Sequence, residues 1–527
     1  MFGRQSTRIV MIVMLAFLGA LTTPAQSPAT TTVEATTTQD LSEQKTARYF
    51  ETARQSPSEL WTFLLKMPKG GDLHNHLSGS IYAESYIQWA AEKGLCVNNQ
   101  TMTLLMPPTG AICDPKLNQA PASAALTNSV LFQQLVDAWS MRNWQLSGET
   151  GHDHFFNTFG RFGTATWDRT GRMLAEAATR AAHGHVLYLE LMLTPDGGLS
   201  SDLGKQVGWD GNVDSTLNKL KAAGIAKNAA AGIKALQDAE TQKDQLLKCG
   251  TTQADPGCAV TIRYVAQVSR GLPLGPVFAQ MVTGFMLAND PTSKVVALNL
   301  VQGEDGAAAM QNFSLQMQML KSLRSLYPKA HLTLHAGELA PGLVPPAGLT
   351  FHIRESVMTA GAERIGHGVD IMHEDRPEEL FEEMARRHVM VEICLSSNDT
   401  ILGISGSQHP LARYLKFGVP VALATDDEGV SRSEISREYL RAVQDQGIGY
   451  AQLKLMARNS LEYAFIGGGS LWNNGHSRKF LPASQCTQDF AAMKLVTNSC
   501  RDYVSGSEKA KLQWQLEQDF QAFESAY

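Results

Sequence analysis

Cysteine is sparse in this chain, seven in 527 residues, and no two stand at Cys-x-x-Cys spacing. That argues against metal binding by these cysteines. Basic residues are not in surplus either: 45 Lys and Arg face 51 Asp and Glu, for a net charge of −6. Such a balance offers no groove for nucleic acid. No repeat of solenoid period is visible. Long apolar runs are missing except near the start, where Ile9 to Leu21 gives about thirteen residues. A membrane span needs roughly twenty. Arg4 and Arg8 precede this run and Thr23-Pro24-Ala25 follows it, so residues 1–25 read as a cleaved secretory signal rather than an anchor. No Cys follows the run, which leaves a lipoprotein signal unsupported. The expected location is secreted or periplasmic, with no stable membrane insertion after cleavage.

Export gives the few cysteines a meaning. Six fall into neighbouring pairs: Cys96 with Cys113, Cys249 with Cys258, and Cys486 with Cys500. Local disulfides fit, although six cysteines allow fifteen pairings. The seventh, Cys394, lies inside the apolar run Val389 to Leu395 and reads as a buried thiol.

Residues 26–40, rich in Thr, Ala and Pro, read as a flexible linker ahead of a single domain over 41–527. Helical spacing of Tyr49, Phe50, Leu60 and Phe63 marks Leu41 to Leu65 as a helical lead-in. Eight strand-like runs follow: 71–77, 186–193, 261–268, 295–301, 331–335, 364–367, 389–395 and 419–425. Helical patterns at 171–182, 310–326, 354–359 and 376–387 alternate with them. That alternation predicts an α/β fold of the (β/α)8 TIM type. Two stretches exceed what a plain barrel needs. One is an insertion after the first strand, at about 82–170, and the other spans 196–257 with helix-like Ser215 to Leu247. Past Gly467-Gly468-Gly469 a helical tail, about 467–527, ends in a helix from Ser507 to Phe523.

Histidines and acids sit at the ends of these strands. His74 and His76 close the first; residues two apart on a strand share a face and can hold one ion together. His335-Ala-Gly-Glu338, Gly366-His367-Gly368 and Thr425-Asp426-Asp427 close the fifth, sixth and eighth. In a barrel of this type, functional groups gather at the strands' C-terminal ends. Two other His-x-His triplets, His152/His154 and His183/His185, lack that placement and read as structural, with His154 the nearer to a pocket mouth.

Those four pieces in that order, from about Met67 to Phe465, resemble the adenosine deaminase family. The resemblance implies one Zn2+ held by His74, His76, His335 and Asp426, with a water completing the set. A divalent ion lowers the pKa of such a water to about 7. The run Val295 to Val301 contains no Lys, which favours one metal over a bridged pair. By resemblance Glu338 shares a proton with purine N1, and His367 orients the metal's water and helps move its proton. Asp426 meets metal and water, while Asp427 points the opposite way along the strand and accepts a hydrogen bond at N7. Gly303 approaches N3 through its N–H, and His76 also borders the substrate. The other zinc deaminase pattern, His-x-Glu with Pro-Cys-x-x-Cys, does not occur. Secreted deaminases related to growth factors are similar in carrying a disulfide-bearing insertion after the first strand.

The chain departs from the family at two positions. Ser78 stands where cytosolic-type members carry an Asp that contacts the ribose 5′-hydroxyl, and Glu428 stands where many have Pro. The implied activity is hydrolysis of adenosine and 2′-deoxyadenosine to inosine and 2′-deoxyinosine, with release of ammonia. The partner is a small purine nucleoside, and the oligomeric state is open. The alternatives are a related barrel deaminase acting on another aminopurine or nucleoside derivative, and a signalling or adenosine-binding protein with vestigial catalysis.

Overall fold

The computed structural model describes residues 38–107, 113–473 and 480–527. The signal and most of the linker lie outside these residues. The first described element is a helix, α1 (Thr38–Ala53), and Pro57 then opens α2 (Pro57–Lys66). The lead-in is thus two helices rather than one. Gln55 and Ser56 break it, because Pro57 has no N–H to continue the ladder and suits a helix's first turn.

All eight strand runs form. They are β1 (Gly70–His76), β2 (Val186–Leu193), β3 (Thr261–Ser269), β4 (Val295–Val301), β5 (His331–Ala336), β6 (Arg364–His367), β7 (Met390–Ile393) and β8 (Val421–Leu423). They pair in chain order as one parallel sheet. The ring closes where His76 N–H donates to Asp426 O at 3.1 Å and Asp426 N–H donates to His74 O at 2.8 Å. The fold is a (β/α)8 barrel. Helices such as Leu274–Asn289 and Ala307–Leu326 bury their inner faces on the sheet.

The barrel interior is not purely apolar. Arg364, on β6, makes ion pairs with Glu190 of β2 and, from its Nε at 2.6 Å, with Glu392 of β7. All three side chains are fully buried. Thr333 also donates to Glu392, at 2.7 Å, and the other oxygen of Glu392 meets His74 Nδ1 at 2.7 Å. A charged spine therefore runs through the barrel to the end of β1. An unpaired charge at this depth would cost several kcal/mol, so each member requires the others.

Within the insertion, three short strands (Cys96–Asn98, Thr103–Leu105, Gln119–Pro121) form a separate antiparallel sheet. Helix α3 (Gly151–Phe162) follows, and α4 (Thr170–His183) then leads into β2. The helix-like 215–247 stretch divides into Val213–Ala222 and Ile225–Leu246 at Gly224, whose φ of +92° suits glycine. The tail ends in α5 (Glu508–Glu524), which packs against α1 and the helix Tyr450–Glu462. Disulfides join Cys96–Cys113, Cys249–Cys258 and Cys486–Cys500, while Cys394 is free and buried. Cys394 lies one residue past β7, ahead of the helix Leu395–Leu402. Among the described residues, no helix is long and apolar enough to cross a membrane.

Candidate metal centre and substrate cleft

The C-terminal ends of β1, β5, β6 and β8 bring the predicted residues together. His74 and His76 lie on the same side of β1, as strand alternation requires. Their Nε2 atoms are 3.1 and 3.2 Å from His335 Nε2. Asp426 Oδ1 is 3.6 Å from His74 Nε2 and 3.4 Å from His76 Nε2. Donors bonded to one zinc ion at about 2.0–2.2 Å, with a further position open to water, are separated by roughly 3–3.5 Å. The spacing and the donor types, three imidazoles and a carboxylate, fit a zinc-sized ion.

Each of the three candidate ligand rings is held from behind through its Nδ1. His74 is held by Glu392, His335 by Asn299 Oδ1 at 2.8 Å, and His76 by the side-chain amide of Gln267 at 2.7 Å. Here Gln267 Nε2 faces that ring; a His76 that ligates through Nε2 carries its proton on Nδ1, so metal binding calls for the amide turned to present its oxygen. Burial draws His335 well below the usual histidine range and His76 down to about 3, which keeps both neutral and ready to ligate. None of these partners was read from the sequence. The available signal was a lone polar residue in an apolar strand: Gln267 in Val-Ala-Gln-Val, Asn299 in Ala-Leu-Asn-Leu, Glu392 in Met-Val-Glu-Ile.

Across from the ligands stand Glu338 and His367. His367 Nδ1 is 2.9 Å from Asn398 Oδ1, whereas its buried Nε2 has no hydrogen-bond partner. That nitrogen faces Glu338 Oε1 at 3.6 Å and Asp426 Oδ2 at 3.9 Å. A buried ring nitrogen left open toward a cluster of oxygens is a group reserved for something that binds there. Burial pushes the Glu338 carboxyl up. The charges of Asp426 and Glu304 add to this and His367 opposes it. The loop carrying Glu338 is gripped by buried Glu304, which accepts N–H bonds from Gly337 at 3.2 Å and Glu338 at 2.9 Å. Gly337, at φ +75°, makes the sharp exit from β5 possible.

Asp426 and Asp427 do not point to opposite sides, as alternation along a strand predicts. β8 ends at Leu423, and Asp426 has a left-handed backbone at φ +58°, so both carboxyls reach the same cleft. Burial, the charge of Asp426 and a hydrogen bond to it push the Asp427 carboxyl well above its ordinary range. A shift in that direction favours the protonated form, which can donate to an acceptor such as a purine ring nitrogen.

The cleft has a volume of 590 Å³. Besides the centre it is lined by Ser78, Gly303 and the phenylalanines of α3, Phe155, Phe156 and Phe159. The His152/His154 triplet divides. His154 is buried and structural, bonded to Glu149 and to backbone carbonyls of Asp137 and Ser140. His152, not His154, faces the cleft. The triplet His183/His185 lies at the opposite rim, where His185 O accepts from Lys69 N–H beneath β1. Glu428 turns away and pairs with Arg180 at 3.0 Å.

Residues 145–469 match the sequence model of the family described as adenosine deaminase. This stretch contains His335, Glu338, His367, Asp426 and Asp427 and begins after His74 and His76, whose place rests on geometry. Adenosine deaminase of Salmonella heidelberg is 39% identical over 405 residues, which is 76% of this chain and 94% of that protein. Adenosine deaminase of Shewanella loihica is 36% identical over 136 residues, which is 26% of this chain and 38% of the relative. Of the solved structures, adenine deaminase from Arthrobacter aurescens aligns with a TM-score of 0.49 at 15% identity, over 76% of this chain and 94% of that one.

Proposed function

Because the chain belongs to the adenosine deaminase family, we propose that it is an exported, zinc-dependent enzyme that hydrolyses adenosine and 2′-deoxyadenosine to the corresponding inosines and ammonia. The observation that carries this reading is the convergence of four ligand atoms opposite a raised carboxyl. His74, His76, His335 and Asp426 would hold the ion, with Glu338 across the cleft from them. When bound, the ion supplies a water acidified to a pKa of about 7. The side chains do the rest. Glu338, whose carboxyl burial pushes up, gives its proton to N1 and makes C6 electrophilic. His367, with Nε2 open toward Glu338 and Asp426, accepts the proton lost by the attacking water and returns it to the departing amine. Asp427 donates to N7, Gly303 presents its N–H to N3, and Asn398 fixes the ring of His367. The water's oxygen adds to C6, the proton returned by His367 lets the C6–N bond break and ammonia leave, and the hydrogen still on that oxygen passes to Glu338, which leaves a C6 carbonyl and restores the acid.

The cleft wall bears on the substrate's charge. Among the described residues it presents the acids Asp305, Glu338, Asp426 and Asp427 and no Lys or Arg. No Lys or Arg is there to pair with a 5′-phosphate, so a neutral nucleoside is the better substrate than a nucleotide. The test is a spectrophotometric assay with adenosine, 2′-deoxyadenosine, adenine and AMP, with metal analysis of the same preparation. Fastest turnover of the two nucleosides, lost on chelation and restored by zinc, supports the proposal. Faster turnover of adenine or AMP, or full activity in metal-free protein, contradicts it.

A further inference from the structure

One charged pair at the cleft has no part in the chemistry above. His152, on α3 of the insertion, places Nε2 3.1 Å from Asp305 Oδ1, on the loop after β4. Its Nδ1 is 3.1 Å from Asp153, and its ring packs edge-on against Phe156 with centroids 4.9 Å apart. Both members line the cleft. They are more open than the metal cluster: the side chains of His152 and Asp305 are 17% and 22% exposed, against 0% for His74 and 3% for Asp426. The pair therefore belongs to the outer part of the cleft. It also stands beside Gly303, since Asp305 Oδ1 lies 2.7 Å from where a Cβ on that glycine would sit.

On the proposed function, on which this inference rests, Gly303 meets N3, and N3 is bonded to C4 next to N9. The sugar leaves the base at N9, so its hydroxyls emerge beside Asp305. We infer that Asp305 is the specificity residue for the sugar, accepting a hydrogen bond from a ribose hydroxyl, and that His152 is the positioning residue that holds its carboxylate. The hydrogen bond to Asp305 raises His152 to about 9 against the opposing effect of burial, so the ring is a cation at neutral pH. Its two N–H groups are already committed to Asp305 and Asp153, which leaves no donor for a phosphate. The remaining oxygen of Asp305 is an acceptor suited to a hydroxyl. This assigns to the insertion and the β4 loop the sugar contact that Ser78, short and uncharged, is poorly suited to make.

The experiment measures kcat/KM for adenosine and its 2′-, 3′- and 5′-deoxy forms with the wild type, Asp305→Ala, Asp305→Asn and His152→Gln. A hydrogen bond to a charged group predicts that the wild type penalises loss of one hydroxyl by about ten- to a hundredfold. Asp305→Ala should lose about that factor on adenosine, mostly in KM, and become indifferent to the same hydroxyl. Asp305→Asn should keep part of the discrimination, and His152→Gln should lie between wild type and Asp305→Ala. Because each ratio is taken within one preparation, partial misfolding cancels. A wild type that treats all four nucleosides within about threefold, or an Asp305→Ala that keeps the wild-type ratios, overturns the inference alone. No turnover of any nucleoside by zinc-loaded wild type overturns the deaminase proposal and this inference with it.

Discussion

Ser78 lines the cleft two residues beyond His76, but its hydroxyl is short and neutral. Ser78→Ala should therefore change kcat/KM for adenosine by less than about tenfold, or roughly 1.4 kcal/mol. Steady-state kinetics check this, and a loss of several hundredfold would make Ser78 the nucleoside's anchor. The residues expected to carry chemistry could be picked out because few residue types can do it: His76, His335 and His367 stand at strand ends, and Glu338, Asp426 and Asp427 follow just past them. The residues that orient them could not. Gln267, Asn299, Glu392 and Asn398 each meet a histidine contributed by another part of the chain. Sequence shows only that a polar group interrupts an apolar run, not what it faces. Backbone conformation was hidden as well. His367 and Asp426 adopt φ of +68° and +58°, and these left-handed turns, uncommon for residues other than glycine, defeat the alternation rule at the strand ends.

Among the elements, strands were easier to read than helix breaks. Buried parallel strands are short apolar runs and stand out. Helix breaks depend on single residues, Pro57 after α1 and Gly224 within 213–246, inside segments whose helical spacing continues across them. The disulfides belong to this scale too. Each staples one local loop, and Cys486–Cys500 lies in a small separate core with Leu471, Trp472, Val504 and Trp514. Non-reducing peptide mapping should recover the three local bridges with Cys394 alkylated only after unfolding; a crossed pair or a bridged Cys394 would contradict the structure. Removing Cys486–Cys500 by paired Ser substitutions should lower the stability of the tail by about 3 kcal/mol or less. It should leave kcat for adenosine near wild type, because this core lies outside the cleft.

At the scale of the whole molecule, the barrel joins its stabilising interior to its metal centre through Arg364, Glu392 and His74. Arg364→Ala leaves Glu190 and Glu392 buried without their cation and should destabilise the fold by about 3–5 kcal/mol. If it folds, its zinc affinity should also fall by about tenfold or more, since Glu392 then no longer fixes the ring of His74. Denaturant unfolding and metal titration read the two effects, and unchanged values of both would show that the spine is not a unit. The barrel itself was legible from eight strand runs and their order. The spine was not, because charged residues on separate strands give no sign in sequence that they meet. In the proposed mechanism, holding the metal and delivering the proton fall to different residues, and the most direct test is zinc content beside kcat for Glu338→Gln and His335→Ala. Glu338→Gln should keep zinc near one ion per chain and lose about 10²–10⁴-fold in kcat, while His335→Ala should lose zinc and activity together. A Glu338→Gln protein with full zinc and near-normal kcat would contradict the account.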